Sequence, residues 1–161
     1  MWAVSWINGK MEACEWKDHQ QRILIVGELE HLKEEYEKNT GWKCADPLEV
    51  FQEIECGSLF VFIGHKVLCL AETRPWFSAE NVLTEEFVGQ GIDTDTVIAV
   101  MREACATVGL KRFVVGTRAP ANGRIAGLAK KYQQQGLSIS TIELMGEVHG
   151  QQEDPQAGGE V

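Results

Sequence analysis

A chain of 161 residues with 44% apolar content is long enough for one packed core, and this composition excludes wholesale disorder. The net charge of -9 argues against a general nucleic-acid binder. No apolar run approaches the roughly 20 residues of a membrane span, and MWAVSWINGK lacks the basic start and long apolar centre of a secretory signal, so a cytoplasmic protein is expected.

MWAVSWI reads as a first strand, and Trp2, Trp6 and Trp16 imply packing near the N-terminus. ILIVGE alone fits strand or helix. A helix over about 18–38 is preferred, because Leu29, Leu32 and Tyr36 then share a face, although Gly27 weakens it. NTGWKCA is a loop. Asp46 then caps a short helix with Pro47 at its first position and Glu49 completing a capping box; Leu48, Phe51 and Ile54 face inward and Gly57 stops it.

SLFVFIG, a Gly64-His65-Lys66 turn, VLCLAETR and NVLTEEFV predict a three-stranded antiparallel meander. A Gly-Gln-Gly turn leads into a helix over 94–108, capped by Thr94 or Asp95, with Val97, Val100, Met101, Ala104 and Val108 inward and Gly109 beyond its end. RFVVGT is a short strand buried on both faces, locally parallel to its predecessor. A helix over 122–135 turns Ile125, Leu128, Ala129 and Tyr132 inward, and LSISTIELMGEV is a final strand. Residues 1–148 thus form one domain, followed by a polar, disordered tail over 149–161.

Cys14, Cys44, Cys56, Cys69 and Cys105 form no C-x-x-C pair, and the histidines form no i, i+4 pair. Free thiols packed as small apolar side chains are expected, and a zinc site is not. No acidic residue falls between Glu103 and Glu143, whereas Lys111, Arg112, Arg118, Arg124, Lys130 and Lys131 do. That segment offers charge suited to an anion, or simply a solvated surface.

The stretch VLTEEFVGQGIDTDT carries the functional question. A strand ending in a glycine turn and feeding a helix leaves amides free at the positive end of the helix dipole, which is an anion site made of backbone alone. Asp93 has a second reading, as an ordinary N-cap of its own helix.

The order of elements over about residues 46–148, with this turn and Tyr132-Gln133-Gln134-Gln135-Gly136-Leu137, resembles the GCN5-related N-acetyltransferase (GNAT) fold. The family's Tyr-x-x-x-Gly-Phe has leucine here. Its pyrophosphate turn, often Arg-Gly-x-Gly-Ile-Gly, is matched by Val88, Gly89, Gln90, Gly91, Ile92 and Asp93, so the arginine and the closing glycine are both replaced.

The resemblance implies an α/β (α+β) fold with a mixed central sheet of about six strands, an antiparallel N-terminal meander and flanking helices. It implies transfer of an acetyl group from acetyl-CoA to a small-molecule or protein amine. Contacts to coenzyme A would come from Leu83, Val88, Gly89, Gln90, Gly91, Ile92 and Thr94. Tyr132 would protonate the departing thiolate, and one of Glu72, Glu85 or Glu86 would be the base. The two replacements motivate a rival expectation: a degenerate GNAT-like domain, similar to bacteriophage-encoded members, with a structural or interaction role and a protein partner or second copy.

Overall fold

Two tight turns set the frame of the sheet. In the computed structural model, which describes residues 2–76, 78–116 and 126–138, strand β1 (Trp2–Ile7) folds back onto β2 (Lys10–Ala13). Asn8 and Gly9 join them with φ of 50° and 79°. Two successive positive φ values match the twist of the flanking strands, and Asn-Gly is the pair that adopts them most readily. β3 (Ser58–Ile63) likewise returns into β4 (Lys66–Thr73) through Gly64 at φ 63°.

Between the hairpins run α1 (Asp18–Thr40) and α2 (Pro47–Ile54). β5 (Val82–Val88) follows β4, then α3 (Thr94–Val108), β6 (Phe113–Val114) and α4 (Ala126–Gln134). The six strands lie in the order β2-β1-β3-β4-β5-β6, with β1–β3 and β5–β6 parallel and the other pairs antiparallel. This is the expected mixed α/β architecture, broadly GNAT-like, with the β3–β4–β5 meander at its centre.

The central strands are buried on both faces, as helices on either side require. Leu59, Val61, Leu68, Leu70 and Leu83 pack on Val97, Val100, Met101 and Ala104 of α3. Phe60, Phe62, Val67, Cys69 and Phe87 pack on Ile25 of α1 and Phe51 of α2. Phe51 and Phe60 are fully buried, with ring centroids 6.3 Å apart, and Trp16 lies 6.3 Å from Phe60 on the same face. Trp6 packs against the α3 side.

Several expectations change. The β1–β2 hairpin is an addition, announced by Asn8-Gly9 in the sequence. α1, in contrast, runs through Gly27 as the preferred reading has it, because Ile25, Leu24, Val26, Leu29 and Leu32 bury enough surface against the sheet to hold it. Leu48 is 45% exposed and Leu128 39%, so neither belongs to its helix's inner face. α2 ends on Glu55 in the right-handed region, and Gly57 is not among the glycines at positive φ. β6 is half-buried, being the outermost strand among the described residues. The expected final strand beyond residue 138, the tail, Ile125, Arg118 and Arg124 lie outside the described residues.

All five cysteines are free, but they are not alike: Cys69 and Cys105 are buried, Cys14 and Cys44 intermediate, and Cys56 exposed. Burial pushes the Cys69 thiol up to about 12, with the Ser58 hydrogen bond opposing and Glu86 adding, and burial also raises Cys105. Since the thiolate is the reactive form, a thiol reagent at neutral pH should label Cys56 first. Cys69 and Cys105 should react only on unfolding, as peptide mapping of a labelling time course would read.

Candidate functional site

Two places bear on the expected chemistry, and both lie along β5. The first is the glycine turn that joins β5 to α3. The Gly89 amide donates to Val67 O at 2.8 Å, which binds the turn directly to β4. A Cβ at Gly89 would sit 2.6 Å from that oxygen and 3.1 Å from the Glu28 side chain, so only glycine fits. Gly91 is required for a different reason, its φ of 74°. Both glycines of the motif are therefore explained by the fold itself.

Further amides of the turn have acceptors within the protein. The Gln90 amide donates to Glu28 Oε2 of α1 at 3.0 Å, and the Ile92 amide to Gly89 O at 3.4 Å. Asp93 caps α3: its carboxylate accepts from the Thr96 amide and from Thr96 Oγ1, each at 2.8 Å. Those hydrogen bonds hold the Asp93 carboxyl below the usual carboxylate range. Lys66 Nζ donates to Gly91 O at 2.8 Å from the β3–β4 turn. Val88 and Ile92 pack against the α3-side core, so the position of the family's arginine is filled by an apolar contact.

Two carboxylates, Glu28 and Asp93, and one ammonium, Lys66, thus surround the turn. A phosphate oxygen about 4 Å from either carboxylate would meet about 4 kcal/mol of repulsion at an effective dielectric near 20, before screening, and the Lys66 ammonium at a like distance would offset about one such contact. Of the expected coenzyme A contacts, Gly89, Gln90, Gly91, Ile92 and Val88 do share this turn. Thr94 is the first residue of α3, and Leu83 is buried farther back along β5.

The second place is the opening between β5 and β6. Their pairing is limited to Leu83↔Phe113 and Thr84↔Val114. Beyond Thr84 a side chain spans the gap, as the Gly116 amide donates to Glu85 Oε2 at 3.2 Å. Tyr132 on α4 is buried nearby. Its phenol is pushed up to about 12, by burial first and by the Glu85 charge second. Glu85 and Tyr132 thus share one neighbourhood.

The other two candidate carboxylates do not join them. Glu72 is exposed and accepts from Asn81 Nδ2 at 2.5 Å, while Glu86 is exposed on the face covered by α1 and α2.

The Tyr-x-x-x-Gly-Leu pattern has its own structural origin. α4 ends with Gly136 at φ 90°, Leu137 N donating to Tyr132 O at 3.1 Å and Gly136 N to Gln133 O at 3.0 Å. This pair of bonds closes a helix end through a left-handed glycine. Arg102 Nη2 to Gln135 O at 3.2 Å and Gln135 Nε2 to Asp95 Oδ1 at 2.7 Å then tie the end of α4 to α3. Of the basic segment, Lys111 is engaged with Glu80 at 3.2 Å.

Glu28 and Lys66 were invisible to sequence reasoning. They reach the turn from 62 and 25 residues away, and nothing local in their segments announces it.

The architecture places the chain in a class: a mixed six-stranded α/β scaffold with flanking helices, GNAT-like in outline. No family model, curated protein or solved structure matches the chain, so the likeness is one of architecture. Among the described residues, no helix is long and apolar enough to cross a membrane, and no group of three or more His, Cys, Asp or Glu side chains could hold a metal ion.

Replacing Asp93 by alanine should cost about 1 kcal/mol of stability through loss of the cap. Because the folded state depresses this carboxyl, the stabilisation is complete above the ordinary value near ~3.9 and fades as the pH falls below it. The gap between wild type and Asp93→Ala in urea melts should therefore narrow by pH 3. Gly89→Ala should cost about 1–3 kcal/mol at any pH, because the clash is with backbone.

Proposed function

We propose that this protein is a degenerate GNAT-like domain that serves as a binding or structural module and does not use acyl-CoA as a cosubstrate. The observation that supports this reading is the self-occupied turn. Glu28 and Asp93 accept from the amides of Gln90 and Thr96, two of the groups an anion would use. Val88 contributes apolar packing in place of a cation. In this reading the glycine motif persists because the fold needs it, Gly89 for its approach to β4 and Gly91 for its positive φ.

A second reading is an N-acyltransferase that moves an acetyl group from acetyl-CoA to an amine. It is favoured by one observation, the nearness of Glu85 and Tyr132 where β5 and β6 part. A protonated phenol beside a carboxylate has the right composition for acid–base work.

Calorimetric titration with acetyl-CoA separates the two. Under the first reading the wild-type protein gives no saturable heat at millimolar ligand, and the Glu28→Gln, Asp93→Gly double variant gains measurable binding. Saturable wild-type binding, with acetyl transfer that falls at least tenfold in Tyr132→Phe at unchanged affinity, would establish the second.

A further inference from the structure

The two inner-face helices and β5 enclose a cleft of about 240 Å³ that none of the chemistry above uses. Its walls come from Leu29, Leu32, Val50, Ile54 and Phe87. Leu29, Leu32 and Lys33 belong to one stripe of α1, at spacings of three and four residues. That stripe turns two leucines and a lysine toward β5.

The far side owes its chemistry to an irregularity. In the β4–β5 ladder Cys69 pairs with Phe87 and Leu70 with Glu85, leaving Glu86 as the extra residue of a bulge. A bulge breaks the alternation of side chains and re-aims one of them. Glu86 and Phe87, though adjacent, consequently both line this cleft.

Lys33 and Glu86 are therefore opposite charges on the rim of one apolar cleft. Among the described residues neither makes a hydrogen bond or ion pair, with the other or with anything else. The cleft thus combines an apolar floor with an available ammonium and an available carboxylate. The volume is smaller than the ~300–1,000 Å³ typical of sites for drug-sized ligands, which limits the occupant to one small molecule.

We propose that this cleft binds a free amino acid with a branched or aromatic side chain. The ligand's carboxylate pairs with Lys33, its ammonium with Glu86, and its side chain lies on Leu29, Leu32 and Phe87. The site lies on the opposite face of β5 from Glu85, and it stands or falls independently of any acyl-CoA chemistry.

The test is a ¹H–¹⁵N titration of the full chain with L-leucine and L-phenylalanine, alongside isoamylamine and isocaproate, which each lack one of leucine's charged groups. Saturable shifts at the amides of residues 29–36 and 86–87 are expected. Glu86 is exposed and Lys33 half-buried, so screening keeps each contribution modest, and Glu86→Gln should weaken leucine binding roughly fivefold and leave isocaproate unchanged. Lys33→Met should weaken leucine similarly and leave isoamylamine unchanged. Unaltered thermal melts of both variants would show that the fold is intact. The proposal is overturned by the absence of saturation at tens of millimolar, by shifts that map elsewhere, or by leucine binding indifferent to both charges. None of these outcomes bears on the acetyl-CoA titration.

Discussion

The contact on which the arrangement most depends is the one between the Gly89 amide and Val67 O, 2.8 Å long. It brings the end of β5 against the start of β4 so closely that no side chain fits between them. Once the turn is there, Glu28 reaches it from α1 and Lys66 reaches it from the β3–β4 turn. Two segments distant in sequence, at Glu28 and at Lys66–Val67, then converge on four residues of backbone. The Gly89, Gln90 and Ile92 amides all find acceptors within the protein. The turn is a tertiary junction that docks the first long helix onto the sheet.

β5 divides the rest of the chemistry. Its bulge sends Glu85 toward β6 and α4, where Tyr132 is buried, and sends Glu86 with Phe87 toward α1 and α2. Two neighbouring carboxylates consequently occupy different environments. One lies beside a phenol kept protonated by burial; the other is an unpaired charge above an apolar floor. The difference arises from a single unpaired residue in a ladder.

Much of the fold was legible because its signals are local. α3 has an apolar stripe of period 3.6 and Gly109 at its end, and its bounds match the pattern, but its cap is Asp93 rather than Thr94 or Asp95. The meander announced itself by alternation and by Gly64. The first hairpin was equally announced by Asn8-Gly9 but lay among tryptophans that drew attention to packing rather than turning. Leu48 misled because an amphipathic pattern assigns a face without saying how much of that face a neighbour covers.

The candidate site was legible only in part. The glycines of the turn were readable; their reason was not, since the approach of Val67 O, the reach of Glu28 and that of Lys66 are all non-local. The bulge that separates Glu85 from Glu86 is a property of pairing and leaves no mark in VLTEEFV.

The first hairpin has a further consequence for how the chain comes together during synthesis. β3 is apolar on both faces, and its outer neighbour is β1, which is flanked in turn by β2 with Lys10 and Glu12 exposed. A short, charged rim strand is a poor template for sheet growth between molecules, whereas a bare β3 would be an inviting one. The ribosome delivers this protective rim before it delivers the strand in need of it. By the time SLFVFI emerges, the partner that shields it from other nascent chains has already been made.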